Sequence, residues 1–523
     1  MSNQVFYNGD IHTLDARYPT PEAIAIKQGK IQAVGNVATL KELSTPNTQW
    51  VNLHGQTLLP SFFDAHIHIW KVGDLLTYNL DLRGVGSIEE LQDKLADFSR
   101  KNKEVLWLRA RGFNEAQMKE GRLPTCQDID KVVKDRPVFL QRTCAHIATV
   151  NTQALELCGI HKKTPIPFGG EIRRDAAGEL NGVLSETALG LAFNHFPAFT
   201  GAEYENMILA ACQLLMAHGI TAATDPAVMP DLLAVYQKMD REGRLPMRIH
   251  AMPIILPDGS DTPCPIPELY ASDNLVINTV KFFADGGLSG ATAAISRPYK
   301  NTNYKGVLRL DPKQYFQLAL EAQQKGFQIG THAIGDVAID FVLDIYERLY
   351  QAQPNAPKHR IEHLGLPLPT HLQRIQKMGV HAVPQAIFLK EVGLNFRNTL
   401  DDQFLSHCYP IRSMLDHQIN VAFSTDAPVV KNVNPFACIA AAMLRQDETG
   451  TSIAPTEKID FKTALYCYTM GSALANRVAD KTGSLSIGKE ADMIALATSP
   501  FEMPATDLAD LTVHQVWRKG QLV

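Results

Sequence analysis

The chain lacks any run of about 18 consecutive apolar residues, so no membrane-spanning helix is expected. Its opening, "MSNQVFYNGDIHTLD", has no basic segment followed by an apolar core, and a secretory leader is therefore not expected either. Cysteine is sparse and scattered, at 126, 144, 158, 212, 264, 408, 438 and 467. No CxxC pair and no dense framework occurs among them, which excludes a disulfide scaffold and points to a reducing cytoplasm. A surplus of one charge is missing too. The net charge of −5 is spread without a basic or acidic block, so neither nucleic acid nor a membrane surface is an expected partner. No sequence repeat at a fixed period is present.

What is present is enough chain for a large core: 523 residues, 45% of them hydrophobic. A length of about 150 residues per domain predicts roughly three units, or one large barrel with attachments. Residues 1–57 are short alternating segments, with "KQGK" placed as the turn of a hairpin. The C-terminal "GSLSIGKEADMIALA" and "LTVHQVWRKGQLV" read the same way, and neither end has enough strands for a core of its own. Residues 1–57 and 475–523 are therefore expected to pack together as one composite β-sandwich.

Between them the period changes. The helix "AEYENMILAACQLLMAHG" (202–219) ends on a glycine suited to a C′ position and leads into "ITAATDP". Further helix-then-strand units end in "FQIGTHAIG", "VHAVPQAIF" and "INVAFSTDAP", while "MRIHAMPI", "INTVKFFADG" and "HRIEHL" bring the strands to seven. The apolar run before His66 makes eight, so residues 58–474 are predicted to form an α/β fold, a (β/α)8 TIM-like barrel. Residues 85–200 break the alternation and are assigned to an insertion after the first strand.

The stretch "PSFFDAHIHIW" (60–70) puts Asp64, His66 and His68 on one strand face by alternation. Such a pair of histidines alone suits a metal no better than a set of hydrogen-bonded polar residues. Four other predicted strands, however, end on Lys281, His332, His363 and Asp426, and the strand ends of a barrel converge on one cavity. Imidazole and carboxylate suit Zn2+, which lowers the pKa of a bound water. An ammonium would repel the metal, but a desolvated Lys281 can take up CO2 to give an anionic, bridging carbamate. Asp285 shares the strand face of Lys281 and is read as orienting a ligand or substrate, or as turn chemistry before Gly-Gly. Alternation turns Glu362 away from the mouth. Asp336 reads as a helix N-cap, and His250 and His381 as core or lining residues.

These residues resemble the amidohydrolase superfamily and its YtcJ-like branch over nearly the whole chain. "LLPSFFDAHIH" is similar to the superfamily's first-strand motif and "GSLSIGKEADMIAL" to its C-terminal one. "RPVFLQRTCAHIATVNTQALELCGI", "GEIRRDAAGELNGVLSETA", "VKFFADGG" and "THAIGD" are similar to stretches typical of the branch. The resemblance implies a metal cage of His66, His68, carboxylated Lys281, His332, His363 and Asp426 around one or two ions. It also implies that Asp426 is the catalytic base and then acid, and that His146 is a substrate contact lent by the insertion. "DGGLSGATA" lacks the branch's usual arginine and Ala427 replaces a frequent tryptophan, departures that bear on substrate rather than metal chemistry.

The expected activity is metal-dependent hydrolysis of a non-peptide, amide-type C–N bond in a small molecule, with an N-substituted formamide or N-acyl compound as the class implied. A homodimer is compatible with this reading. The competing readings are a regulatory or binding protein of the same fold without turnover, and an ester or phosphoester hydrolase, because the same metal activates water for each.

Overall fold

In the computed structural model, which describes residues 3–167, 169–257, 260 and 262–523, both chain ends contribute to one layered β unit. One sheet orders the strands Lys30–Gly35, Ala23–Lys27, Gln4–Tyr7 and Gln49–Asn52. The expected hairpin is there: Gln28 and Gly29 both have positive φ, which matches the twist of the flanking strands. The other sheet mixes the ends, since Thr57–Pro60 pairs antiparallel with Met493–Leu496, which in turn pairs with Gln515–Arg518. Phe6 meets Trp517 edge to face at 5.2 Å among Ile24, Ile26, Leu58 and Met493. Chain ends that bury each other's apolar faces remove the edge that either would expose alone.

The strand Thr57–Pro60 hands the chain straight to the barrel. Barrel strand β1 (Phe62–Asp64) lies parallel to β2 (Ile220–Val228), which is parallel to β3 (Arg248–Pro253). A bridge from Ile254 to Lys281 joins β3 to β4 (Thr279–Phe283). Then β5 (Gln328–Ala333), β6 (Arg360–His363) and β7 (His381–Val383) follow in parallel. The segment 420–427 bridges β7 at Val421 and returns to the β1 end through Ala65 N–H to Phe423 O (3.1 Å), which closes the ring. Helices such as Gly201–Ala217 and Asp336–Ala352 pack outside it. Gly219 does sit at positive φ after the first of these.

Two segments differ from expectation. "VHAVPQAIF" is a strand only over His381–Val383, because Pro384 has no N–H for the ladder and Ile387–Glu391 turns helical. The eighth segment has one bridge rather than a ladder, because the Thr425 N–H donates to the Asp64 carboxylate instead of a backbone carbonyl. Asp336 is the first residue of its helix, whose N-cap is Gly335.

Between β1 and β2 lie the helix Ile69–Thr77 and a six-stranded sheet built from Leu80–Asp81 to Leu180–Glu186. Among the described residues no helix is long and apolar enough to cross a membrane. The helix Ile69–Thr77 begins directly after His68 and touches Gly201–Ala217 backbone to backbone, so that a Cβ on Gly73 would lie 1.9 Å from Met207 O. Gly73→Ala is expected to cost about 1–3 kcal/mol of stability through overpacking, read from urea denaturation midpoints.

Candidate metal centre

His66, His68 and Asp426 bring their ligand atoms within 4.8 Å of one another, and all three are buried. The histidines lie just past the end of β1, and Asp426 sits at φ +57° near the end of the closing segment, tied down by its N–H to His66 O (2.7 Å). Asp64 is not with them, although alternation predicts it. Its carboxylate accepts from the His66 N–H, from Thr425 and from Tyr468, and so fastens β1 to the segment that closes the barrel.

The other predicted donors surround this group. The His363 ring is 5.0 Å from that of His66 and 4.4 Å from that of His332. Lys281 is fully buried in β4, with Nζ 4.6 Å over the Phe283 ring. Burial pushes the His66 and His332 imidazoles well below their ordinary range, and the positive charge of Lys281 pushes them further. His363 is lowered to about 3, first by burial and then by His332.

Three of the four rings, those of His66, His363 and His332, also have a partner that decides which nitrogen faces the centre. His66 Nδ1 lies 2.5 Å from Glu362 Oε2, and His363 Nδ1 lies 2.7 Å from Gln385 Oε1. A carboxylate or an amide oxygen only accepts, so both rings carry their hydrogen on Nδ1 and present Nε2 as a lone pair. His332 is reversed: its Nε2 donates to Gly286 O at 3.0 Å, which leaves Nδ1 as the lone-pair nitrogen. Asp426 Oδ1 is buried without a hydrogen-bond partner, 3.5 Å from His66 Nε2 and 3.4 Å from His68 Nε2. An imidazole lone pair and a carboxylate oxygen repel at that distance unless a cation lies between them. The donor set thus fits a divalent ion.

Glu362 corrects the alternation argument. It lies level with His332 in the parallel register, so its side chain enters the barrel, and His363 also turns inward because its φ of +73° breaks the extended backbone. Asp285, read from the sequence as orienting a ligand or substrate or as turn chemistry, is fully buried, accepts the Ala294, Ile334 and Gly335 N–H groups, and stands 3.3 Å from His332 Nε2, so it holds the end of β5 and His332.

A cavity of about 230 Å3 opens over the donors. Its barrel side includes Phe283, Phe388, Phe396 and Tyr409; its roof, with Arg111, Gln141, His146, Glu186 and Phe193, comes from the 80–193 segment. His146 does line it, with Nδ1 3.0 Å from Glu186 Oε2. Burial would lower His146, but Glu186 outweighs that and raises it to about 9. Glu362, Gln385, Arg111 and Glu186 are not among the residues predicted from sequence to build the site. The "RIEH" and "LSETA" segments hold two of them, yet only register and tertiary placement distinguish them from ordinary polar residues.

A closed α/β barrel with a candidate metal site at its mouth is the architecture of a class of metal-dependent hydrolases. The chain belongs to the amidohydrolase family, whose profile matches residues 49–523. It is 27% identical to YtcJ of Bacillus subtilis (strain 168), with 99% of each chain covered. It is 25% identical to the N-substituted formamide deformylase of Arthrobacter pascens, over all of this chain and 98% of that one. The crystal structure of a metal-dependent hydrolase from Pyrococcus horikoshii OT3 superimposes with a TM-score of 0.78 at 25% identity, covering 96% of this chain and 99% of that one. The resemblance to the YtcJ-like branch is borne out.

Glu362→Gln removes the charge that fixes the His66 hydrogen and is expected to weaken metal binding about 10–100-fold, measured by competition with a chromophoric chelator. A second expectation concerns pH. The His146–Glu186 pair contributes stability fully below the ordinary histidine value of 6.5 and loses it as pH rises through about 9. Thermal midpoints should fall between pH 7 and 9.5, and His146→Gln should flatten that slope.

Proposed function

We propose that the protein hydrolyses a small, non-peptide amide, of the N-acyl or N-substituted formamide type, with a divalent metal held by His66, His68, His332, His363, Asp426 and a carboxylated Lys281. The observation that carries this is the lone pair of His66 Nε2 aimed at the partnerless Asp426 Oδ1 across 3.5 Å. When bound, Zn2+ or a similar ion polarises a carbonyl and lowers the pKa of water.

The chain's own residues do the rest. With Oδ1 facing the two imidazoles, Asp426 keeps Oδ2 to accept a proton from the attacking water. The same carboxylate returns that proton to the departing nitrogen, which leaves as a neutral amine. Glu362, Gln385 and Gly286 O hold the hydrogens of the His66, His363 and His332 imidazoles away from the centre. Phe283, Phe388 and Phe396 exclude bulk water. The deformylase name of one relative favours the amide reading over an ester one. A 230 Å3 cavity supports a small-molecule substrate. The scattered cysteines support a cytoplasmic location.

Amide turnover on a panel of N-formyl, N-acyl, ester and phosphoester compounds, abolished by a chelator and restored by Zn2+, is the expected result. Asp426→Asn should lower kcat by about 100-fold or more, and Lys281→Met should lower the metal content read by plasma emission. Intact amide turnover in Asp426→Asn, or inertness across the panel, would sink the proposal.

A further inference from the structure

The roof of the metal cavity contains a charge that the hydrolytic machinery does not use. Arg111, on the strand Leu108–Phe113, is only 4% exposed. The one side-chain hydrogen bond of its guanidinium among the described residues runs from Nη1 to Gln141 Oε1 at 3.3 Å, and its Nε is buried without a partner. Among the described residues no carboxylate lies within ion-pairing distance of it, whereas Arg109, two residues earlier on the same strand, pairs with Asp74 at 3.4 Å. A buried guanidinium left short of acceptors is costly, and its planar fork of donors matches a carboxylate.

The surroundings narrow the ligand. Lys71, at the start of the helix after His68, lines the same wall and adds a second positive charge. Lys71, Arg111, Gln141 and Phe193 also line an adjoining cavity of about 310 Å3, whose walls include Trp70, Phe139, Phe196 and Phe199 beside the Asp74–Arg109 pair. The cationic residues therefore stand at the neck between a metal centre and an aromatic-walled compartment. Asp426 and Asp74 act on Arg111 only from beyond ion-pairing distance, and Glu186, a carboxylate of the roof, is engaged by His146 at 3.0 Å and faces Arg309 at 4.0 Å.

We infer that the substrate is an amide bearing a carboxylate, held by Arg111 with Lys71 beside it, and that its apolar side group occupies the aromatic compartment. The inference rests on the hydrolase reading above for the amide, but on Arg111 alone for the carboxylate. A charge-assisted pair of this kind favours the anionic ligand over a neutral isostere by about tenfold or more.

The test uses the full-length, Zn2+-loaded protein with N-acetylphenylalanine, N-formylphenylalanine and the primary carboxamide of each. The expected result is a kcat/KM at least about tenfold higher for each carboxylate than for its carboxamide. Arg111→Met should collapse that ratio and Arg111→Lys should restore part of it, with circular dichroism confirming that the variants fold. Binding, read as a thermal-midpoint rise on adding each compound, should show the same preference. Equal or better turnover of the carboxamides overturns the carboxylate inference and leaves the hydrolase reading standing. Carboxylate-selective binding that Arg111→Met removes, without turnover of any compound, upholds the inference and overturns the hydrolase reading. Absence of both turnover and selective binding overturns the inference.

Discussion

Arg360 has no solvent contact, and neither has Glu362, two residues along the same strand. Removing two such charges from water costs several kcal/mol for each, so the pair is tolerated only because its remaining hydrogen-bonding capacity is filled. Arg360 donates to both Glu362 oxygens, to Ala65 O at 2.7 Å and to Asn476 Oδ1 at 2.9 Å. Asn476 Oδ1 also accepts from Thr224 of β2. One guanidinium therefore ties β6 to the loop after β1 and, through the C-terminal part of the chain, to β2. Glu362 uses the second of its oxygens on His66 Nδ1 and thereby sets the hydrogen that leaves Nε2 facing Asp426. The direction of one ligand lone pair thus follows from how the barrel is stitched shut.

The same burial that makes this network costly prepares the donors. Desolvation is the largest influence on His66, His68, His332 and His363, and it drives all four toward the neutral imidazole that a metal requires. The charge of Lys281 acts in the same direction on each of the four. An ammonium that keeps its neighbours neutral is also one that opposes a dication, so the two demands on Lys281 conflict while it remains a cation. The proposed carbamate resolves the conflict by reversing the sign at that position, which is why the lysine and the histidines have to be considered as one electrostatic unit.

How much of this is legible in the amino-acid order depends on the range of the interaction. The barrel is legible because apolar helices alternate with short β-branched strands, and the closing segment is recognisable even though side chains replace much of its ladder. The proposed donors are legible as a set because each stands in or just past such a strand. Glu362 is not, since strict alternation points it outward and only the positive φ of His363 and the register with His332 turn both residues inward. Asp64 fails for the opposite reason. It sits in the right stretch, yet β1 ends at Asp64, and its carboxylate is consumed by Thr425, 361 residues away in sequence.

The roof is the least legible part, and its physical position explains why. Arg111, His146 and Glu186 come from three different strands or loops of a sheet that has its own apolar clusters, built around Leu91, Leu108 and Leu140 on one side and Phe139, Ala148 and Leu184 on the other. That sheet is organised by its own core, and the side chains that reach over the metal are the ones its packing leaves free. The proposed metal donors, in contrast, all belong to the barrel. A division of this kind lets the charge and shape of the roof change without disturbing the Arg360–Glu362–His66 network, so two chains can share the cage and differ in substrate. The absence of the branch's usual arginine from "DGGLSGATA" fits that division: position 291 is an alanine at φ +55°, and Arg111 of the roof is among the cations that line the cavity instead.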